Sequence, residues 1–264
     1  MNLISTKFKT LKKNNQKAFI VYLTVGYPDI ETTKELILKL AQEGVDIIEL
    51  GVPFSDPLAD GPIIQKSFQE ALKNKINLES VINLVKDIRN KVKIPLIIMS
   101  YYNPIYKFGL ENFFIHATKV GVDGLIIPDL PCEEILPIKR INSLKKIDLI
   151  SFISPTTQDE RIDFIVKHTQ GFVYYLSITG VTGLRNTLDE KIKNSIEKIK
   201  KHTSLPVCVG FGISNSNQVK KIISYADGFI IGSAIIKIIE DEKNKKEMIE
   251  KVLNFVKDIR SNLK

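Results

Sequence analysis

Residues 45–62 read VDIIELGVPFSDPLADGP, and they divide at a glycine. Val45 to Gly51 is a short apolar run with β-branched residues, the pattern of a buried strand. Side chains alternate along a strand, so Glu49 shares a face with Ile47 while Ile48 and Leu50 point the other way. Both faces are largely apolar, and a strand buried on both faces belongs to a parallel sheet covered by helices. Glu49 sits near the C-terminal end of the run, where a charge is costly unless it is partnered or used. The loop that follows, PFSDPLADGP, carries Asp56 and Asp60 among three prolines and a glycine. It is too stiff for a tether and too acidic for a core.

The same unit repeats along the chain. Apolar, β-branched-rich runs recur at 19–25, 45–51, 94–100, 122–128, 148–154, 172–177, 206–212 and 227–233. Amphipathic helical patterns fall between them, at 32–42, 78–92, 188–202 and 217–223, and one from Ala234 closes the chain with Ile249, Val252, Leu253 and Val256. Strands alternating with helices predict βαβ units. Eight units in about 250 residues match a closed (β/α)₈ TIM barrel. An open doubly wound sheet would carry a glycine-rich fingerprint after its first strand, and TVGYPD is no such fingerprint. The expectation is α/β: one barrel domain over 1–264, with an extra N-terminal helix and an inserted helix after the second strand (63–73).

Composition bounds the partners. The 264 residues carry a net charge of +8, with 38 Lys+Arg against 30 Asp+Glu. The lysines are spread along predicted helices without aromatic interleaving, which reads as a solvated surface and not as a nucleic-acid face. No apolar run reaches membrane-spanning length. Cys132 and Cys208 have neither metal spacing nor a pairing pattern, so they read as free thiols of a reducing, cytoplasmic setting. The basic, amphipathic start MNLISTKFKTLKKNN lacks arginine, and a short helix plugging one end of the fold explains it better than a transit peptide. His116, His168 and His202 lie in helical stretches and form no metal set.

Barrel geometry gathers the residues that end each strand around one mouth. Glycines cluster after the last three runs, in TGVTG (179–183), VGFGIS (209–214) and IGSAI (231–235). Singly, each is an ordinary turn glycine. Together, in consecutive βα loops, they offer main-chain N–H groups and helix N-termini to an anion. Gly183, Gly212, Gly232 and Ser233 are the expected phosphate cradle. Across the mouth lie Glu49, Asp56 and Asp60. The plainer readings are an ion-pair role for Glu49 and turn capping for the two aspartates. Tyr22, Tyr101 and Phe211 add aromatic surface, as does one of Tyr174 and Tyr175, since alternation lets only one face the mouth. Unaided, these residues describe a barrel enzyme for a phosphorylated small molecule with an apolar ring, using carboxylate acid–base chemistry.

At ELGVPFSDPLADGP (49–62) the sequence resembles the tryptophan synthase α subunit family. The resemblance continues through Tyr101–Asn103, GVDGLIIPDLP (121–131), GVTG (180–183), GFGIS (210–214) and GSAIIKIIE (232–240), so it covers essentially the whole chain. It implies a carbon–carbon lyase of tryptophan biosynthesis. The substrate would be indole-3-glycerol phosphate, cleaved to indole and glyceraldehyde 3-phosphate. The indole would pass to a β subunit in an α₂β₂ complex, and pyridoxal phosphate would belong to that subunit, leaving no cofactor in this chain. By resemblance, Glu49 is the general acid and base, Asp60 meets the indole N–H, and Tyr174 is the tyrosine near Glu49. Tyr22, Tyr101 and Phe211 line the indole pocket, the cradle glycines and Ser233 hold the phosphate, and Asp56 lies in the α–β communication loop. The loop after the Tyr174 strand closes over the substrate. Two departures stand out: Ile178, where some members carry arginine, and Tyr22, where enteric relatives have phenylalanine. A non-catalytic activator and an isomerase or epimerase of sugar phosphates are the alternatives. Intact Glu49 and Asp60 argue against the first, and the PFSDPLADGP loop against the second.

Overall fold

A computed structural model describes residues 2–142, 146–177, 185–210 and 212–263. Its strands are β1 (Ala18–Thr24), β2 (Ile47–Gly51), β3 (Leu96–Met99), β4 (Gly124–Ile126), β5 (Asp148–Ile150), β6 (Phe152–Ile153), β7 (Val173–Leu176), β8 (Val207–Gly210) and β9 (Gly228–Ile231). They form one all-parallel sheet in the order β5-β4-β3-β2-β1-β9-β8-β7-β6. β5 and β6 are two pieces of the single run expected at 148–154, interrupted at Ser151. The first piece pairs with β4 and the second with β7, and the Ser151 carbonyl accepts from the Tyr174 amide at 3.2 Å. One broken strand therefore closes the ring, and nine strand segments make the eight staves of a barrel.

The staves are buried along almost their whole length, as the absence of hydrophobic alternation predicts. Phe19 on β1 stacks on Phe229 of β9 at a centroid distance of 4.9 Å, locking the first and last staves. The helix Leu3–Lys13 closes the end opposite the mouth. Asn2 caps it, accepting from the Ile4 amide at 2.9 Å, while its amide nitrogen donates to the Asp123 and Lys146 carbonyls. Ile4 then plugs the barrel floor, so close to Gly124 that a Cβ there would sit 2.9 Å from it.

The inserted helix after β2 runs Pro62–Lys73, with proline in its first turn where the missing N–H costs nothing. The C-terminal pattern is divided, into Ser233–Asp241 and Lys245–Ser261. Asn244 starts the second helix by accepting from the Lys246 and Glu247 amides, which favours a fresh cap over a continuous helix. Between β3 and β4 lie two helices, Tyr102–Phe108 and Leu110–Val120, broken at Gly109, whose φ of +90° suits only glycine. Among the described residues no helix is long and apolar enough to cross a membrane.

Candidate active site

Because every strand is parallel, their C-terminal ends share one mouth, and a cavity of about 240 Å³ opens there. Tyr22, Asp60, Tyr174, Gly212, Gly232 and Ser233 all line it, so the acidic side and the glycine side of the expected site face one space. A groove of about 330 Å³ elsewhere lies between β4–β6 and the helices outside them, beside Cys132 and Arg161. It lacks the acid–base pair.

Glu49 stands in register between Tyr22 on β1 and Ile97 on β3. It is 0% exposed, and neither carboxylate oxygen has a hydrogen-bond partner. Burial raises its pKa to about 8, which keeps the carboxyl protonated at neutral pH. It is not on the cavity wall; it lies within electrostatic reach of Tyr22 and Tyr174, which line it.

Asp60 is held differently. Its Oδ2 accepts from the Tyr101 hydroxyl at 2.6 Å, and its carbonyl accepts from Gln65 at 2.9 Å. Burial raises the Asp60 pKa to about 6 and the Tyr101 bond opposes the rise, so at neutral pH it is mainly a carboxylate. Two carboxyls on one mouth thus carry opposite protonation states near pH 7, the arrangement that assigns an acid and an anion. Tyr101 sits behind Asp60, stacked on Phe54 at 5.1 Å.

Tyr174 points to the mouth, packed over Gly210, where a Cβ would lie 2.3 Å from its ring. Tyr175 points outward, toward Ser195 on the helix Arg185–His202. Burial raises both hydroxyls of the mouth, Tyr22 and Tyr174, well above the ordinary phenol range. On the glycine side, Gly212 has φ +73°, and Gly232 immediately precedes the helix Ser233–Asp241, whose first amides lack helical partners. Gly183, Phe211 and Ile178 lie outside the described residues, and with them the loop after β7. Asp56 is exposed on the β2 loop, taking the Ser55 hydroxyl, next to Leu58, which is 93% exposed. Cys132 and Cys208 are free and buried, and among the described residues no cluster of three His, Cys, Asp or Glu is arranged to hold a metal.

Sequence reasoning missed Ile64, Met99, Ile213 and Ile230, which supply apolar wall. Met99 ends β3 and Ile230 is one residue from the end of β9, so the strand-end rule had the signal for both. It also missed Thr24 and Ser67, two buried hydroxyls behind Tyr22. Nothing local marks them, because their contact joins β1 to the inserted helix.

A family model described as tryptophan synthase alpha chain matches residues 8–264. A tryptophan synthase alpha chain of Prochlorococcus marinus subsp. pastoris is 47% identical over 261 residues, 98% of this chain and 93% of the relative. One from Geotalea uraniireducens is 42% identical over 264 residues, covering 100% of this chain and 98% of its own. Among solved structures, tryptophan synthase subunit alpha of Legionella pneumophila superposes with a TM-score of 0.93 at 35% identity, over 100% of this chain and 98% of that one. The aminoacrylate-bound form of tryptophan synthase from M. tuberculosis gives a TM-score of 0.89 at 27% identity, with full coverage of both chains.

Proposed function

The chain belongs to the tryptophan synthase alpha chain family, a lyase of the α reaction, and we propose that its cavity takes indole-3-glycerol phosphate and cleaves it to indole and glyceraldehyde 3-phosphate. The observation that carries this reading is the pairing at one mouth of a buried, protonated Glu49 with an ionised Asp60. A retro-aldol cleavage needs both. Glu49 delivers its proton to the ring carbon that bears the side chain, which leaves a cation delocalised to the ring nitrogen. Asp60 accepts the N–H hydrogen bond and stabilises that cation. The glycerol hydroxyl next to the ring then loses its proton to the Glu49 carboxylate. Its electron pair forms the aldehyde C=O as the carbon–carbon bond breaks, and the ring carbon takes the bonding pair. Glu49 ends protonated, as it began.

The rest of the cavity supports the same substrate. Tyr22, Tyr174, Ile64, Met99 and Ile230 offer a flat apolar slot for the ring. Gly212, Gly232 and Ser233 offer main-chain amides to the phosphate. Tyr174 holds the ring near Glu49. Tyr101 sets Asp60.

The family implies a β subunit as partner. In our reading the assembly is α₂β₂, the β2 loop with exposed Asp56 and Leu58 docks on the β subunit, and pyridoxal phosphate is held only there. In the same reading the reaction takes place in the cytoplasm. The test is the full chain with Glu49→Gln, assayed for indole release from indole-3-glycerol phosphate. Loss of turnover by about 10³-fold or more with the fold intact is expected for removing the proton donor, and normal turnover refutes the assignment.

A further inference from the structure

Tyr22, Thr24 and Ser67 form a buried file of hydroxyls running from the cavity into the inserted helix. Tyr22 Oη lies 3.3 Å from Thr24 Oγ1, and Thr24 Oγ1 lies 2.7 Å from Ser67 Oγ. Ser67 Oγ also donates to the Ile64 carbonyl at 2.7 Å. A carbonyl only accepts, so the single Ser67 proton is committed to Ile64. Thr24 must then donate to Ser67, and its oxygen is left to accept from Tyr22. Every proton in the file points away from the cavity. The Tyr22 oxygen keeps its lone pairs for the cavity, and burial holds the phenol neutral so the proton count is fixed.

That oxygen has a defined place. A Cβ on Gly51 would lie 2.1 Å from it. Gly51 follows Glu49 by two residues and shares its face of β2, so the hydroxyl sits one step toward the mouth from the carboxyl that moves the proton.

We propose that Thr24 and Ser67 are positioning residues: they polarise the Tyr22 hydroxyl into an acceptor for the substrate's other side-chain hydroxyl, the one that does not give its proton to Glu49, so that the cavity favours hydroxylated chains over deoxygenated ones. The inference rests on the reading of the cavity as the site for indole-3-glycerol phosphate. A hydroxyl that donates to Tyr22 is held beside Glu49, whereas a bare methylene there leaves Tyr22 without a donor to accept from.

The test uses the full chain with Ser67→Ala, with Thr24→Val as a second, near-isosteric route to the same break, each alone and combined with Tyr22→Phe. Two quantities are read: KM for indole-3-glycerol phosphate, and Kd for an indolyl-propyl phosphate that keeps ring and phosphate but has no side-chain hydroxyl. Freed of Ser67, the Thr24 proton turns to Tyr22, and Tyr22 becomes a donor toward the cavity. Both single changes should raise KM by about tenfold, the size of one buried hydrogen bond, and leave the Kd of the deoxy probe unchanged. In the Tyr22→Phe background, Ser67→Ala should add nothing. Equal losses with and without the Tyr22 hydroxyl, or an unchanged KM in both single variants, overturn the inference while leaving the lyase reading intact. Parent protein that neither cleaves the substrate nor binds the probe overturns the site reading and the inference with it.

Discussion

The Tyr101 hydroxyl donates to Asp60 Oδ2 at 2.6 Å and accepts from the Ala59 amide at 3.0 Å, so one phenol fixes both the carboxylate and the loop that carries it. The bond acts on charge as well as position. It favours the ionised form of Asp60 and so opposes the upward pull of burial.

This sets the pH profile of the α reaction. The proposed roles require Asp60 ionised and Glu49 protonated, so kcat/KM should be bell-shaped, with its acid limb near 6 and its alkaline limb near 8. Tyr101→Phe removes the bond that lowers the Asp60 pKa, so the acid limb should move up by about one pH unit and the alkaline limb should stay. Steady-state rates from pH 5 to 9 check both limbs.

Glu49→Gln separates catalysis from stability. The folded pKa of about 8 lies above the ordinary carboxyl value of 4.5, so the folded state holds the extra proton between them. Stability of the parent protein therefore falls as pH rises through that window and stays low above it. Gln removes the penalty. The variant should be inactive, roughly equal in stability to the parent near pH 4.5, and more stable by about 4 kcal/mol at pH 8.5. Urea unfolding at the two pH values measures the difference.

Gly51→Ala tests the packing of the mouth. The new Cβ would sit 2.1 Å from Tyr22 Oη and 2.5 Å from Cζ, so the ring must shift from its packed position into the cavity it lines. A cost of about 1–3 kcal/mol is expected from overpacking, with loss of indole release. Tyr22→Phe in the same chain should recover part of the stability, because the nearest clashing atom is the one removed.

A second buried carboxyl lies at the far end of the barrel. Asp148 on β5 has Oδ2 without a partner, and burial, with Asp123 nearby, raises its pKa to about 6. The raised value makes it a liability above pH 6 and a neutral acid below pH 4. Asp148→Asn should raise stability by about 1–3 kcal/mol at pH 8 and change little at pH 4, without altering the KM for the phosphorylated substrate. Thermal unfolding at both pH values, with one kinetic measurement, checks it.

Much of the barrel is written in local pattern. The run at 45–51 announces a strand buried on both faces, and its repetition sets the number and direction of the staves. The two glycines of the mouth, Gly212 and Gly232, follow from the same rule that strand ends converge. What the pattern could not express was the break at Ser151, which lets one run pair with β4 through its first half and β7 through its second. Nor could it express Asn244, a polar residue whose cap splits one apolar pattern into two helices.

The sequence by itself determined the stave count and the common mouth and put Glu49 and Asp60 beside it as candidates, because alternation and spacing are properties of neighbouring residues. Only the tertiary structure decided how each group is charged and oriented. Glu49 is protonated because packing strips water from it without supplying a partner, whereas Asp60 keeps its charge through Tyr101, 41 residues away. Thr24 and Ser67 meet across 43 residues. Desolvation and hydrogen-bond direction depend on distances between remote segments, and no periodicity along the chain encodes those.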